Sequence, residues 1–149
     1  MTVFEVRRIQ NLLEMDISLL VKESKEEGFR FLGRLVDEYK DGTNQFIYRG
    51  EALYGVFNEV GILIAIGGLN QDPYSNESSI GRVRRFYVSK AFRKNGIGRL
   101  LLKRIISEAR KHYRAIVLHT DTTQADQFYT SLGFVKKSNL KHATHYLKL

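Results

Sequence analysis

Cysteine is absent from this 149-residue chain. Its absence excludes disulfides, thiolate metal sites and a cysteine nucleophile, and suits a cytoplasmic protein. Tryptophan is absent as well, and proline occurs once, at Pro73. No apolar run reaches the about 18 residues that a membrane-spanning helix requires. The charged stretch 1–8 lacks the apolar core of a secretion signal, so neither secretion nor a membrane location is expected. There is no Gly-x-Ser-x-Gly turn of a serine hydrolase and no Gly-Lys-Ser/Thr turn of a nucleotide-hydrolysing phosphate loop. The four histidines, His112, His119, His142 and His145, make no persuasive metal set. His142 and His145 fall in a segment that reads as strand, where a separation of three points them to opposite faces. No metal is expected.

What the chain does have is basic charge. Lys and Arg number 24 against 16 Asp and Glu, a net charge of +8. The basic residues are spread out, with modest clusters at Arg82-Arg84-Arg85, Arg93-Lys94-Arg99 and Lys103-Arg104. No aromatic stacking signature accompanies them, so the charge reads as attraction for a small anionic molecule and not for nucleic acid. A hydrophobic content of 43% and a charged content of 27% are ordinary for one globular domain with a real core.

Periodicity divides the chain into elements. Residues 2–9 alternate as a first strand. Leu13, Ile17, Leu20 and Val21 recur at helical spacing, which predicts a helix over 12–27 that Gly28 interrupts. Phe31, Leu32, Leu35, Val36 and Tyr39 make a second helical stripe, stopped at Asp41-Gly42. Strands are expected over 51–58 and 62–69, joined by Glu59-Val60-Gly61 as a hairpin. A polar loop at 70–80 leads to a strand over 81–88, giving an antiparallel meander. Beyond it lie a helix through 100–112, a buried strand at 115–119, and a short helix at 124–132 closed by Gly133 in a left-handed cap. Strands are also expected to begin at Phe134-Val135 and to cover 145–149. The sum is a mixed α/β sheet of six or seven strands with about four helices.

The most informative stretch is Arg93-Lys94-Asn95-Gly96-Ile97-Gly98, between the strand over 81–88 and the next helix. The first amides of a helix lack partners within it and sit at the positive end of its dipole. A glycine-rich turn feeding those amides is a pyrophosphate cradle. The dinucleotide fingerprint does not apply, because Leu101 stands where its third glycine belongs and the unit comes after an antiparallel meander.

A second motif lies about thirty residues downstream: Ala125, Phe128-Tyr129 and Gly133-Phe134. In that order and at that separation, the two motifs resemble the GNAT superfamily of acyl-CoA N-acyltransferases over residues 81–135. The resemblance implies a mostly antiparallel GNAT-like sheet and one N-acetyltransferase domain over 1–149. It implies acetyl-CoA as co-substrate, an amine acceptor that is a small molecule or a protein, and often a homodimer. The amides of Arg93, Lys94, Asn95, Gly96, Ile97 and Gly98 would hold the CoA pyrophosphate, with Arg93 and Lys94 adding charge. The backbone at Phe86 and Val88 would pair with pantetheine at a bulge. Phe128 and Thr122 would touch the cofactor, with Thr122 in the place where many relatives have asparagine. Tyr129 matches the tyrosine that protonates the departing thiolate.

Where many members carry a glutamate base, this chain has Arg82. Arginine stays protonated and cannot serve. Glu51, Glu77, Asp121 and His119 are the candidates for a base or a water-holding group. The missing carboxylate keeps a second function open, a catalytically silent acyl-CoA sensor or protein-interaction module. An acceptor pocket is expected between the N-terminal helices, the early strands and the 70–80 loop, where Arg30, Arg34, Tyr54, Arg82 and Arg84 are the candidate contacts.

Overall fold

A computed structural model describes residues 3–149. Seven strands form one sheet: β1 Glu5–Arg8, β2 Ala52–Phe57, β3 Leu63–Gln71, β4 Ile80–Val88, β5 Ala115–Leu118, β6 Val135–Lys136 and β7 His145–Lys148. Four helices, α1 Ser18–Glu26, α2 Phe31–Asp41, α3 Ile97–Ala109 and α4 Thr123–Ser131, pack on its two faces. The strand order is β1-β2-β3-β4-β5-β7-β6. All pairings are antiparallel except β4 with β5, and it is this parallel step that needs a crossover helix, supplied by α3.

The expected mixed, mostly antiparallel sheet is therefore what the chain forms. Several boundaries differ. The first strand begins at Glu5; Thr2, which the alternation included, lies outside the described residues. The helix expected over 12–27 is broken into a 3₁₀ turn at Leu12–Glu14 and α1. Two short polar side chains cause the break. Asn11 accepts the Leu13 N–H, and Asp16 accepts the N–H of Ser18 at 3.0 Å, restarting the helix one residue after Ile17. The crossover helix starts at Ile97 and ends at Ala109, earlier than the expected 112. His142 precedes β7, in a turn with φ +54°, so the segment is not strand at both histidines.

The core lies on both faces of the sheet. Leu101, Leu102, Ile105 and Ile106 of α3 bury against Tyr54, Val56, Ile64 and Val83 on one face. Leu20 of α1 with Leu32, Leu35 and Tyr39 of α2 bury against Leu53, Phe57, Leu63, Ile66 and Tyr87 on the other. Burial of these side chains, at about 25 cal/mol per Å² of apolar surface, holds the helices to the sheet and fixes where the ends of α1 and α3 come to lie.

Two irregularities interrupt the regular sheet. β4 pairs with β5 only through Ile80–Arg82, and beyond that point β4 has no ladder partner on that side. The sheet forks there. Opposite the fork, the register between β3 and β4 slips between Ile66 and Gly68, and Arg85 adopts φ +57°. This is a β-bulge: one extra residue in β4 turns the strand and re-aims its side chains.

Candidate acyl-CoA and acceptor cleft

A cleft of about 1270 Å³ opens at the fork. One end is walled by the turn before α3 and by the start of α4. The other end lies against the α1–α2 connection, Glu38 of α2, Tyr74 and His142. β4 runs along it from Arg82 to Val88.

The glycine turn has the form expected of an anion cradle. Leu100 donates to the Gly96 carbonyl at 3.0 Å, and among the described residues the amides from Lys94 to Arg99 have no backbone acceptor. Lys94 at φ +65° and Gly96 at φ +79° put alternate residues in the left-handed region, which turns successive N–H groups toward one concavity. The two glycines serve different ends. Gly96 supplies the positive φ, and a Cβ there would meet open space. At Gly98 a Cβ would sit 3.2 Å from the Phe128 ring and 3.6 Å from Val88, so this glycine lets α4 pack against the turn.

Tyr129 is 7% exposed and lines the cleft. Its ring meets Phe86, Phe128 and Phe134 at centroid separations of 6.0, 5.1 and 5.6 Å. The hydroxyl has no hydrogen-bond partner among the described residues. Burial pushes the phenol above its ordinary pKa of 10.0, so it holds its proton throughout the neutral range. Thr122 caps α4 by accepting the Ala125 N–H at 3.1 Å, the role its type predicts. Gly133 ends the helix at φ +98°. Phe86, Val88, Thr122 and Phe128 all line the cleft.

Other expected site residues are placed differently. The Arg93 side chain is committed to protein: it donates to both Glu27 carboxylate oxygens, at 2.8 and 2.7 Å, and to the Val88 carbonyl at 3.0 Å. Its own amide bonds to Lys90. Arg93 therefore staples α1 to the turn and brings no spare charge to it. Asn95 is exposed off the cleft wall, and the Ile97 side chain is buried in the core at 2% exposure, which leaves these two only their amides to contribute. Tyr54 is 1% exposed within the α3-side core, under the Arg104 guanidinium at 5.4 Å, and does not reach the cleft.

Arg82 sits at the cleft edge but is spent. It is 5% exposed, donates to Asp72 at 2.8 Å and to the His142 carbonyl at 2.8 Å, and lies 4.8 Å over the Tyr74 ring. It ties the 72–79 loop to the segment before β7. Arg30, Arg34 and Arg84 do line the cleft. Of the four candidate bases, His119 and Asp121 are on the cleft wall, 3.0 Å apart. Glu51 instead accepts from Asn70, and Glu77 pairs with Arg114, both away from it.

Sequence reasoning passed over Arg85, Glu38, Asp126 and His145. Arg85 donates to Glu38 at 2.8 Å across the cleft floor. His145 is 1% exposed and shares a 2.6 Å hydrogen bond with Asp126, one turn before Tyr129; the pair pins α4 to β7 and so fixes the phenol. The i, i+3 spacing of Asp126 and Tyr129 was visible, but its partner in β7 was not. Among the described residues no group of three or more His, Asp or Glu is placed to hold a metal ion, and no helix is long and apolar enough to cross a membrane.

A mixed sheet forked beside a bare-amide turn, with a phenol in the fork, defines an α/β protein built around one deep cleft. The sequence pattern of the acetyltransferase (GNAT) domain matches residues 49–136. The chain belongs to the GNAT acetyltransferases, a family that transfers acyl groups and uses acyl-CoA as co-substrate. Among solved structures, it is 32% identical to a proposed acetyltransferase from Exiguobacterium sp. 255-15, with a TM-score of 0.87 over 98% of this chain and 93% of that one. A GNAT-family acetyltransferase from Staphylococcus aureus Mu50 shares 16% identity and a TM-score of 0.75 over 98% and 99% of the two chains. An acetyltransferase from Streptococcus agalactiae 2603 shares 18% and a TM-score of 0.74, with 98% of each chain covered. The last two likenesses are of fold.

Proposed function

We propose that the chain is an acetyl-CoA-dependent N-acetyltransferase, acting as one domain on a primary amine, with donor and acceptor bound together in the cleft. The observation that carries this reading is Tyr129, a buried ring whose hydroxyl holds its proton at neutral pH and has no protein partner among the described residues, at the fork between the bare-amide turn and an open pocket.

The residues fit the co-substrate. Amides from Lys94 to Arg99 would hold the pyrophosphate, and Lys94, exposed on the cleft wall, adds charge. The side of β4 that has no ladder partner offers the Phe86 backbone and the Val88 N–H for an extended amide chain, the pairing a further strand would make, while the Val88 carbonyl already accepts from Arg93. Phe86 and Phe128, with centroids 5.9 Å apart, give that chain an apolar wall. Bound acetyl-CoA supplies an activated acyl group on sulfur.

Tyr129 holds a proton at Oη and gives it to a developing thiolate. The amine attacks the thioester carbonyl directly and the CoA thiolate leaves; with no cysteine in the chain, a cysteinyl acyl-enzyme is excluded. The amine's proton leaves through the His119–Asp121 pair or an adjoining water chain. Glu27 and Glu38 also line the cleft, but each carboxylate is already ion-paired, to Arg93 and Arg85 respectively, and the Arg93 guanidinium holds the Glu27 carboxyl below its ordinary range.

Release of CoA thiol in the presence of a panel of primary amines tests the reading. Amine-dependent release supports it. Tight acetyl-CoA binding with no release for any amine would support the silent sensor instead.

A further inference from the structure

The acceptor end of the cleft holds more positive charge than the protein compensates. Three arginines lie along β4, and they are treated differently. Arg82 has its carboxylate, Asp72, and two backbone carbonyls, so its burial is satisfied. Arg85, aimed by the bulge, has Glu38 on one terminal nitrogen, while its Nε is buried without an acceptor. Arg84, between them, has no side-chain hydrogen bond and no ion pair among the described residues, yet it is partly buried on the cleft wall. Burial, and next the Arg85 guanidinium beside it, pull its pKa below the ordinary arginine range. Arg30 and Arg34 reach the same end of the cleft from α2 and its approach, again without ion pairs among the described residues. Glu38 is the carboxylate that acts on Arg84, and Arg85 already occupies it; Glu27, also on the cleft wall, is taken by Arg93.

Adjacent like charges repel, the more so in a half-buried cleft than in open water. The Arg85 Nε, buried without an acceptor, is costly, and the Arg84 guanidinium beside it, open to the cleft and unpaired among the described residues, is free to take an acceptor from a bound molecule. A fork of N–H donors fits a carboxylate or a phosphate in bidentate fashion. A purely cationic acceptor would meet repulsion from this wall.

We infer that the acceptor is an amine that also carries an anionic group, a carboxylate or a phosphate, which Arg84 binds with Arg85 beside it. This rests on the acetyltransferase reading. Arg84 then selects among amines and orients them, while the cradle for CoA lies at the other end of the cleft.

Matched pairs of probes test it: amino acids against their carboxamides, and O-phosphoethanolamine against ethanolamine. Two readouts are taken on the full chain. One is calorimetric binding to protein saturated with CoA; the other is thiol release from acetyl-CoA. The wild-type protein should favour the anionic member of at least one pair by on the order of tenfold to a hundredfold, as a charge-assisted hydrogen bond predicts. Arg84→Gln should abolish that preference while leaving acetyl-CoA affinity unchanged. The carboxylate and phosphate pairs separate the two anion sources. Equal binding within every pair, absence of binding by every probe, or a preference that survives Arg84→Gln would overturn the inference. Anion-selective binding without thiol release would uphold it and defeat the transferase reading. Release that ignores the anion would do the reverse.

Discussion

Arg93 donates to both carboxylate oxygens of Glu27, at 2.8 and 2.7 Å, and so fastens the end of α1 to the turn that opens α3. Tyr87 adds a third donor to the same carboxylate at 2.6 Å. The Arg93 guanidinium is the chief cause that holds the Glu27 carboxyl below its ordinary 4.5, with burial opposing. A depressed carboxyl contributes stability that is complete above its unfolded value and disappears as pH falls through its lower folded value. Glu27→Gln should therefore lower stability at neutral pH by about 1.5–3 kcal/mol and flatten part of the acid loss below pH 4.5. Urea titrations across that range check it. Unaltered acid dependence would show that the ion pair contributes little.

Two glycines make room for one tyrosine. A Cβ on Gly81 would lie 2.7 Å from the Tyr113 ring, and one on Gly50 would lie 2.6 Å from its hydroxyl, which donates to the Gly50 carbonyl at 2.7 Å. Gly81 is at the β4–β5 contact just before the fork. Gly81→Ala should destabilise by about 1–3 kcal/mol through overpacking, seen as a lower Tm. An unchanged Tm would mean that the Tyr113 ring yields freely.

The cradle makes a prediction separable from catalysis. Gly96→Glu places a non-glycine residue at φ +79° and a negative charge beside the bare amides. Acetyl-CoA affinity should fall by on the order of tenfold or more, since both backbone geometry and charge oppose the anion. Calorimetry checks it, and retained affinity would mean that the pyrophosphate is held elsewhere.

Local patterns were legible where local chemistry decides the structure. The hairpin closed by Gly61, the α2 stripe, the turn at Gly96 and the cap at Gly133 are all properties of a few neighbouring residues. The break at Asp16 was also local, but helical spacing on both sides of it concealed the polar restart. Tyr54 was misplaced for a different reason. β2 is buried on both faces along its whole length, so no polar alternation remained to say which side chains face the cleft. Arg82 and Asp72 are joined across a loop, and Arg93 and Glu27 across 66 residues; spacing along a chain carries no record of such pairs. The bulge at Arg85 depends on register against β3, which arginine at that position does not announce. These nonlocal features decide which arginines are spent and which are free, and hence what the acceptor end of the cleft can bind.

The proposed chemistry turns on the phenol at the fork, and Tyr129→Phe tests it directly once an amine is in hand. The substitution removes one oxygen and keeps the ring among Phe86, Phe128 and Phe134, so the fold and acetyl-CoA affinity should be kept. Steady-state kinetics should show kcat lowered by about a hundredfold or more, the scale of a general acid, with KM for acetyl-CoA little changed. Turnover near that of the wild type would contradict the proposal that this hydroxyl supplies the proton.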